Sequence, residues 1–126
     1  MTTRFFRSTL ALTFWLLVSA PVAAFAQDAL LRAKGLYASA DYEEALQVLQ
    51  TLKGKAANTE AEAYQVFCLV ALGRKDEAKA AVEAIVRVDP LYRPAEGQVS
   101  PRIRSFYDDV RRPLLPEVVR LSYGRA

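Results

Sequence analysis

The segment Ala38-Ser39-Ala40-Asp41-Tyr42-Glu43-Glu44-Ala45-Leu46 returns in outline as Ala71-Leu72-Gly73-Arg74-Lys75-Asp76-Glu77-Ala78-Lys79, which sets Ala45 and Ala78 33 residues apart. In each copy an amphipathic stretch runs into a tight turn, an acidic pair and an alanine follow, and a second amphipathic stretch begins. This order describes two helices folded back on each other, a unit that occurs twice.

Working outward, the spacing predicts a first helix over 29–39 with Asp28 as its N-cap and Leu30, Ala33, Leu36 and Tyr37 along one face. Its partner helix begins after Asp41, where Asp41-x-x-Glu44 reads as a capping box, and carries Ala45, Leu46, Val48, Leu49 and Leu52 inward before Gly54 stops it. In the second unit, Thr59-x-x-Glu62 is the capping-box signature. Ala63, Val66, Phe67, Val70 and Ala71 lead to the Gly73 turn, and Ala78, Ala81, Val82, Ile85 and Val86 lead to a stop at Asp89-Pro90.

These residues resemble the tetratricopeptide repeat family, on Ala33, Asp41-Tyr42, Ala45 and Leu49 in one copy and Gly73, Ala78, Val82, Ile85 and Asp89-Pro90 in the other. Residues 28–90 carry the resemblance. Departures fall at Ala29, where the family favours an aromatic, and at Val66, where it favours a small residue. The resemblance implies an all-α fold of two antiparallel helix pairs (28–57 and 59–90) forming a short right-handed superhelix. It also implies a protein or peptide partner held on the concave face lined by the first helix of each unit. Lys34 and Tyr37 from the first unit, with Tyr64 and Phe67 from the second, are the candidate partner-binding positions, and for Tyr37 and Phe67 an ordinary core role is the competing reading. The carboxylate-gripping set of Lys, Asn and Arg found in one variant of the family is not matched, since the sole Asn is Asn58, between the units.

Two units leave an apolar face that a neighbour must cover. Residues 91–126 supply the expected cap: an extended connector, Leu91-Tyr92-Arg93-Pro94, then Ser100-Pro101 as a helix start, then Ile103, Phe106, Tyr107 and Val110 as an apolar stripe. Arg104, Asp108 and Arg112 lie opposite at spacings that allow weak ion pairs. Pro113 is expected to interrupt this helix and Pro116 to open a short last one with Leu115, Val118, Val119 and Leu121. The tract from Asp89 to Tyr123 resembles a module that follows repeat pairs in secreted tetratricopeptide-like proteins of Gram-negative bacteria.

At the other end, Arg4 and Arg7 precede an apolar run, Leu10–Val18, and Ala24-Phe25-Ala26 offers small side chains where a signal peptidase needs them. Residues 1–26 therefore read as a signal peptide cut between Ala26 and Gln27, which places the protein in a bacterial periplasm. The alternatives are secretion, or an inner-membrane anchor left uncleaved, because the uncharged stretch 8–27 could span a bilayer of roughly 30 Å.

The charge changes meaning with that cut. The chain of 126 residues has a formal charge of +3, but Arg4 and Arg7 account for two of those charges. Residues 27–99 hold nine basic and eleven acidic side chains, whereas 100–126 hold six Arg against Asp108, Asp109 and Glu117. Nucleic acid loses its compositional support, and a membrane enters only through an uncleaved leader or an Arg-rich tail docked on headgroups.

With no His and one Cys, imidazole catalysis, Cys-rich metal sites and internal disulfides are excluded, and the five scattered Gly form no phosphate loop. No catalytic, cofactor or metal residue is assigned. The leading expectation is a non-enzymatic adaptor or scaffold in a cell-envelope assembly. A structural subunit self-assembling through its C-terminal helices is the second reading, and a carboxylate-based hydrolase the third. Cys68, inside an apolar run, is expected to be buried and inert.

Overall fold

The computed structural model describes residues 21–53 and 58–124. These form five helices and no strand: α1 (Pro21–Ala38), α2 (Tyr42–Gln50), α3 (Thr59–Ala71), α4 (Lys75–Val88) and α5 (Pro101–Tyr123). Helix α1 packs on α2, α3 on α4, α2 on α3 and α4 on α5, with α1 also touching α3. The all-α repeat fold expected from the sequence is therefore present, with α5 covering the open end of the second pair. Among the described residues no helix is long and apolar enough to cross a membrane. The basic and apolar parts of the expected leader, and the Gly54 stop, lie outside the described residues.

Both hairpins close with the same hydrogen bonds. After α1, Ala40 N–H donates to Tyr37 C=O and Asp41 N–H to Leu36 C=O; after α3, Gly73 N–H donates to Val70 C=O and Arg74 N–H to Leu69 C=O. This paired pattern ends a helix only if one residue takes a left-handed conformation. That residue is Ala40 at φ 64° in the first turn and Gly73 at φ 74° in the second. Glycine meets the requirement without strain, whereas Ala40 brings its Cβ against the following carbonyl.

The turn brings small residues to the helix crossings. Ala33, Ala45, Val66 and Ala78 are wholly buried, and each pair is related by the 33-residue shift. Around them Leu46, Leu49, Phe67, Leu69, Val82, Ile85 and Val86 complete one continuous core. Val66, where the family favours a smaller side chain, is accommodated without any exposure. The core continues into the cap through Val99, Ile103, Tyr107 and Val110.

Several expected boundaries are corrected. Helix α1 is already formed at Pro21, where the described residues begin, so Asp28 lies inside the helix and is not its N-cap. The Ala26–Gln27 bond consequently falls within α1, ahead of the buried Leu30. Asp41 does occupy the N-cap of α2, but its side chain accepts no capping bond. Glu44, the other half of the expected box, accepts a hydrogen bond from Arg32 Nη2 of α1 at 3.2 Å. In the second unit the cap is Asn58, whose side-chain oxygen accepts from Glu60 N–H at 3.1 Å and Ala61 N–H at 3.3 Å, so Thr59 is the first helical residue rather than the cap.

Ser100 caps α5 as expected, accepting from Ile103 N–H at 3.4 Å. Pro113 does not interrupt that helix, however, and no separate last helix forms: α5 runs through both prolines to Tyr123. Each proline removes one helical hydrogen bond and frees the carbonyl four residues back, on Asp109 and Arg112. Both of those residues are exposed, so water can satisfy the freed carbonyls.

The turns give a direct stability test. Left-handed alanine costs about 1–2 kcal/mol, and glycine's extra unfolded-state freedom returns about 0.4–1 kcal/mol of that. Ala40→Gly is expected to stabilise the fold by about 0.5–1 kcal/mol and Gly73→Ala to destabilise it by a similar amount, read from denaturant midpoints. Equal and same-signed effects would mean that the two turns are not equivalent.

Candidate protein-binding surface

Helices α1 and α3 come side by side because each is the first helix of its unit, and their facing side chains build an aromatic cluster. Tyr37 stands at its centre. Its ring centroid lies 5.6 Å from that of Tyr64 in an edge-on arrangement, 6.0 Å from Phe67 and 5.5 Å from Tyr42. Tyr64 and Phe67, one helical turn apart on α3, are 5.2 Å from each other. Such tilted pairs place ring edges against ring faces, the favoured geometry for aromatic quadrupoles.

Lys34 completes the group from one turn before Tyr37. Its Nζ sits 5.5 Å from the Tyr64 ring centroid and pairs with the carboxylate of Glu60 on α3. The ammonium thus ties α1 to α3 while lying over an aromatic face.

All four candidate residues converge, but they are not equally accessible. Lys34, Tyr37 and Tyr64 are half-buried, whereas Phe67 retains only 2% exposure. Phe67 is therefore a core residue supporting the cluster from below, in line with the competing reading of that position. Burial, followed by the neighbouring Tyr42, Cys68 and Tyr64, raises the Tyr37 phenol above its ordinary value, so it stays a neutral donor.

Tyr42, Glu60 and Tyr92 belong to this surface and were not singled out from the sequence. Tyr92 sits in the connector between α4 and α5, and its ring centroid is 6.4 Å from that of Tyr107 on α5. Its phenol is raised first by burial and then by the negative fields of Glu60, Tyr64 and Asp89, which shows how near the connector lies to α3. For Tyr42 and Tyr92 a local signal existed, an aromatic beside each break between helices. Glu60 carried none, because its role comes from Lys34 on another helix.

The acidic pairs have structural partners. Arg74 holds Glu77 through Nε at 2.8 Å and Nη2 at 2.7 Å, and its Nη1 lies 3.8 Å from Glu43 of the preceding unit. Hydrogen bonding to Arg74 lowers the Glu77 carboxyl below its usual value, opposite to what a general acid requires. Arg104, expected to pair with Asp108, instead meets Glu96 of the connector at 3.3 Å. Among the described residues no group of acids or thiols is arranged to hold a metal ion.

A family model described as tetratricopeptide repeat matches residues 36–96. The matched span takes in the end of α1, the three following helices and the connector. No curated protein and no solved structure matches the chain.

Beneath the cluster, Cys68 is wholly buried, and desolvation raises its thiol from 9.0 to about 11. The folded protein therefore keeps the proton that the unfolded chain releases first. The associated stability is intact below pH 9 and is lost as pH rises toward 11, amounting to about 2–3 kcal/mol for two pH units. Urea midpoints measured from pH 8 to 11 should fall more steeply for the native sequence than for Cys68→Val. Parallel slopes would show that the thiol is solvated.

Proposed function

Because residues 36–96 match a tetratricopeptide repeat model and fold as paired helices, we propose that the protein is a non-enzymatic interaction module that binds a protein or peptide partner on the α1–α3 face and serves as an adaptor in a bacterial envelope assembly. The observation that carries this reading is the cluster of Lys34, Tyr37 and Tyr64, which the repeat geometry gathers on one face and leaves partly open. Tyrosine suits such a surface, since it offers a large rigid apolar area and a hydroxyl at low entropic cost. Export to the periplasm, after cleavage between Ala26 and Gln27, rests on the sequence of residues 1–26.

A second reading has its own observation. The last turns of α5 leave Val119 and Tyr123 exposed one turn apart, a short apolar face that a second copy of the chain could cover. In that arrangement the protein is a self-assembling structural subunit.

Affinity capture of the tagged protein from native envelope, with N-terminal sequencing of the same material, tests the adaptor reading. A defined stoichiometric partner is expected, at least tenfold depleted by Lys34→Glu or Tyr64→Ala while the melting temperature is kept, together with an N-terminus at Gln27. Retention of the partner by both variants would remove the α1–α3 face from the interaction. Light scattering across a concentration series decides the second reading: a dimer that Val119→Glu dissociates supports it, and a monomer throughout rejects it.

A further inference from the structure

The connector and α5 border a cleft of about 340 Å³, with Tyr92 in its lining. Arg93, Pro94, Glu96, Arg104, Asp108 and Arg111 are among its lining residues. Arg111 is unlike the others. It is 7% exposed, and its Nε and Nη1 are buried with no hydrogen-bond partner. Tyr107, one helical turn earlier and also lining the cleft, buries its hydroxyl in the same unpartnered state.

A buried guanidinium without a carboxylate is costly to the fold and marks a place where a ligand has an interaction to supply. Its planar fork of donors matches an oxyanion. Burial raises the Tyr107 phenol far above its ordinary value, so the hydroxyl remains protonated and able to donate.

The surrounding charges choose among oxyanions. Glu96 pairs with Arg104 at 3.3 Å; the other charged lining residues are Arg93, Arg111 and Asp108, a surplus of one positive charge in the lining, and Glu62 adds a negative field at Tyr107. That balance suits a monoanion and disfavours a phosphate dianion. The volume exceeds what a bare carboxylate fills and accommodates the residue that carries it.

We propose that this cleft binds a carboxylate borne by a protein partner, on an acidic side chain or at a chain terminus, with Arg111 as its cationic anchor and the Tyr107 hydroxyl as a second donor. The site lies outside the α1–α3 face. It rests on the interaction-module reading only for the nature of its ligand, and small probes test it without any partner.

The test follows the Arg111 Nε–H and Tyr107 amide signals of the isotope-labelled protein by NMR at constant ionic strength. The probes are N-acetylglutamate α-amide, N-acetylalanine, N-acetylglutamine amide and inorganic phosphate. Saturable shifts are expected with the first two, none with the glutamine compound, and weaker binding with phosphate. Tighter saturation by the glutamate compound assigns an acidic side chain, and tighter saturation by N-acetylalanine assigns a chain terminus. Arg111→Met, which replaces the buried charge with an apolar chain of similar length, is expected to abolish the Tyr107 shift while keeping a cooperative melt. Arg111→Lys, which keeps the charge but loses the fork, is expected to weaken binding at least tenfold. Phosphate binding as tight as the carboxylates, an equal response to the glutamine compound, no saturation with any probe, or undiminished binding by the variants would each overturn the proposal.

Discussion

The left-handed residue that closes each helix pair is the constraint on which the remaining structure depends. At Ala40 and Gly73 it reverses the chain within three residues and sends the next helix back along the first. Helices reversed so tightly favour small crossing residues, and Ala33, Ala45 and Ala78 meet that condition with complete burial, Val66 being the one larger side chain accommodated there. Once both pairs close alike, α1 and α3 lie adjacent, and the positions of Lys34, Tyr37, Tyr64 and Phe67 follow without further instruction.

What the sequence revealed is what repeats or what acts locally. The 33-residue shift exposed the two hairpins, Gly73 the second turn, and Ser100-Pro101 the start of α5, because each depends on a few consecutive residues. The earlier part of α1 was hidden by the leader-like composition around it, so Asp28 was read as a cap although it lies inside the helix. Asn58 was taken for part of a linker, yet an Asn there competes well with Thr59 for the cap. The prolines of α5 were misread because the penalty of a lost hydrogen bond was counted without asking whether the freed carbonyl faces water.

Side chains whose role depends on a distant element were the least legible. Glu60 matters through Lys34, and Arg104 finds Glu96 in preference to a carboxylate on its own helix. Arg111 shows the same limit more sharply. In the sequence it is half of an Arg pair on a charged helix; in the fold Arg112 faces solvent and Arg111 turns into the space between α5 and the connector. The positive excess of residues 100–126 is therefore not one uniform surface, since part of it is internal and part is neutralised by Glu96.

Tyr92 joins the two polar regions of the molecule. Its ring packs against Tyr107 at the mouth of the α5 cleft, while its phenol lies in the fields of Glu60 and Tyr64 on the repeat face. One short connector residue thus borders both the aromatic cluster and the Arg111 cleft. The connector is therefore fixed from both sides, by the ring contact with Tyr107 on α5 and by its nearness to α3, and this holds the cap on the second helix pair.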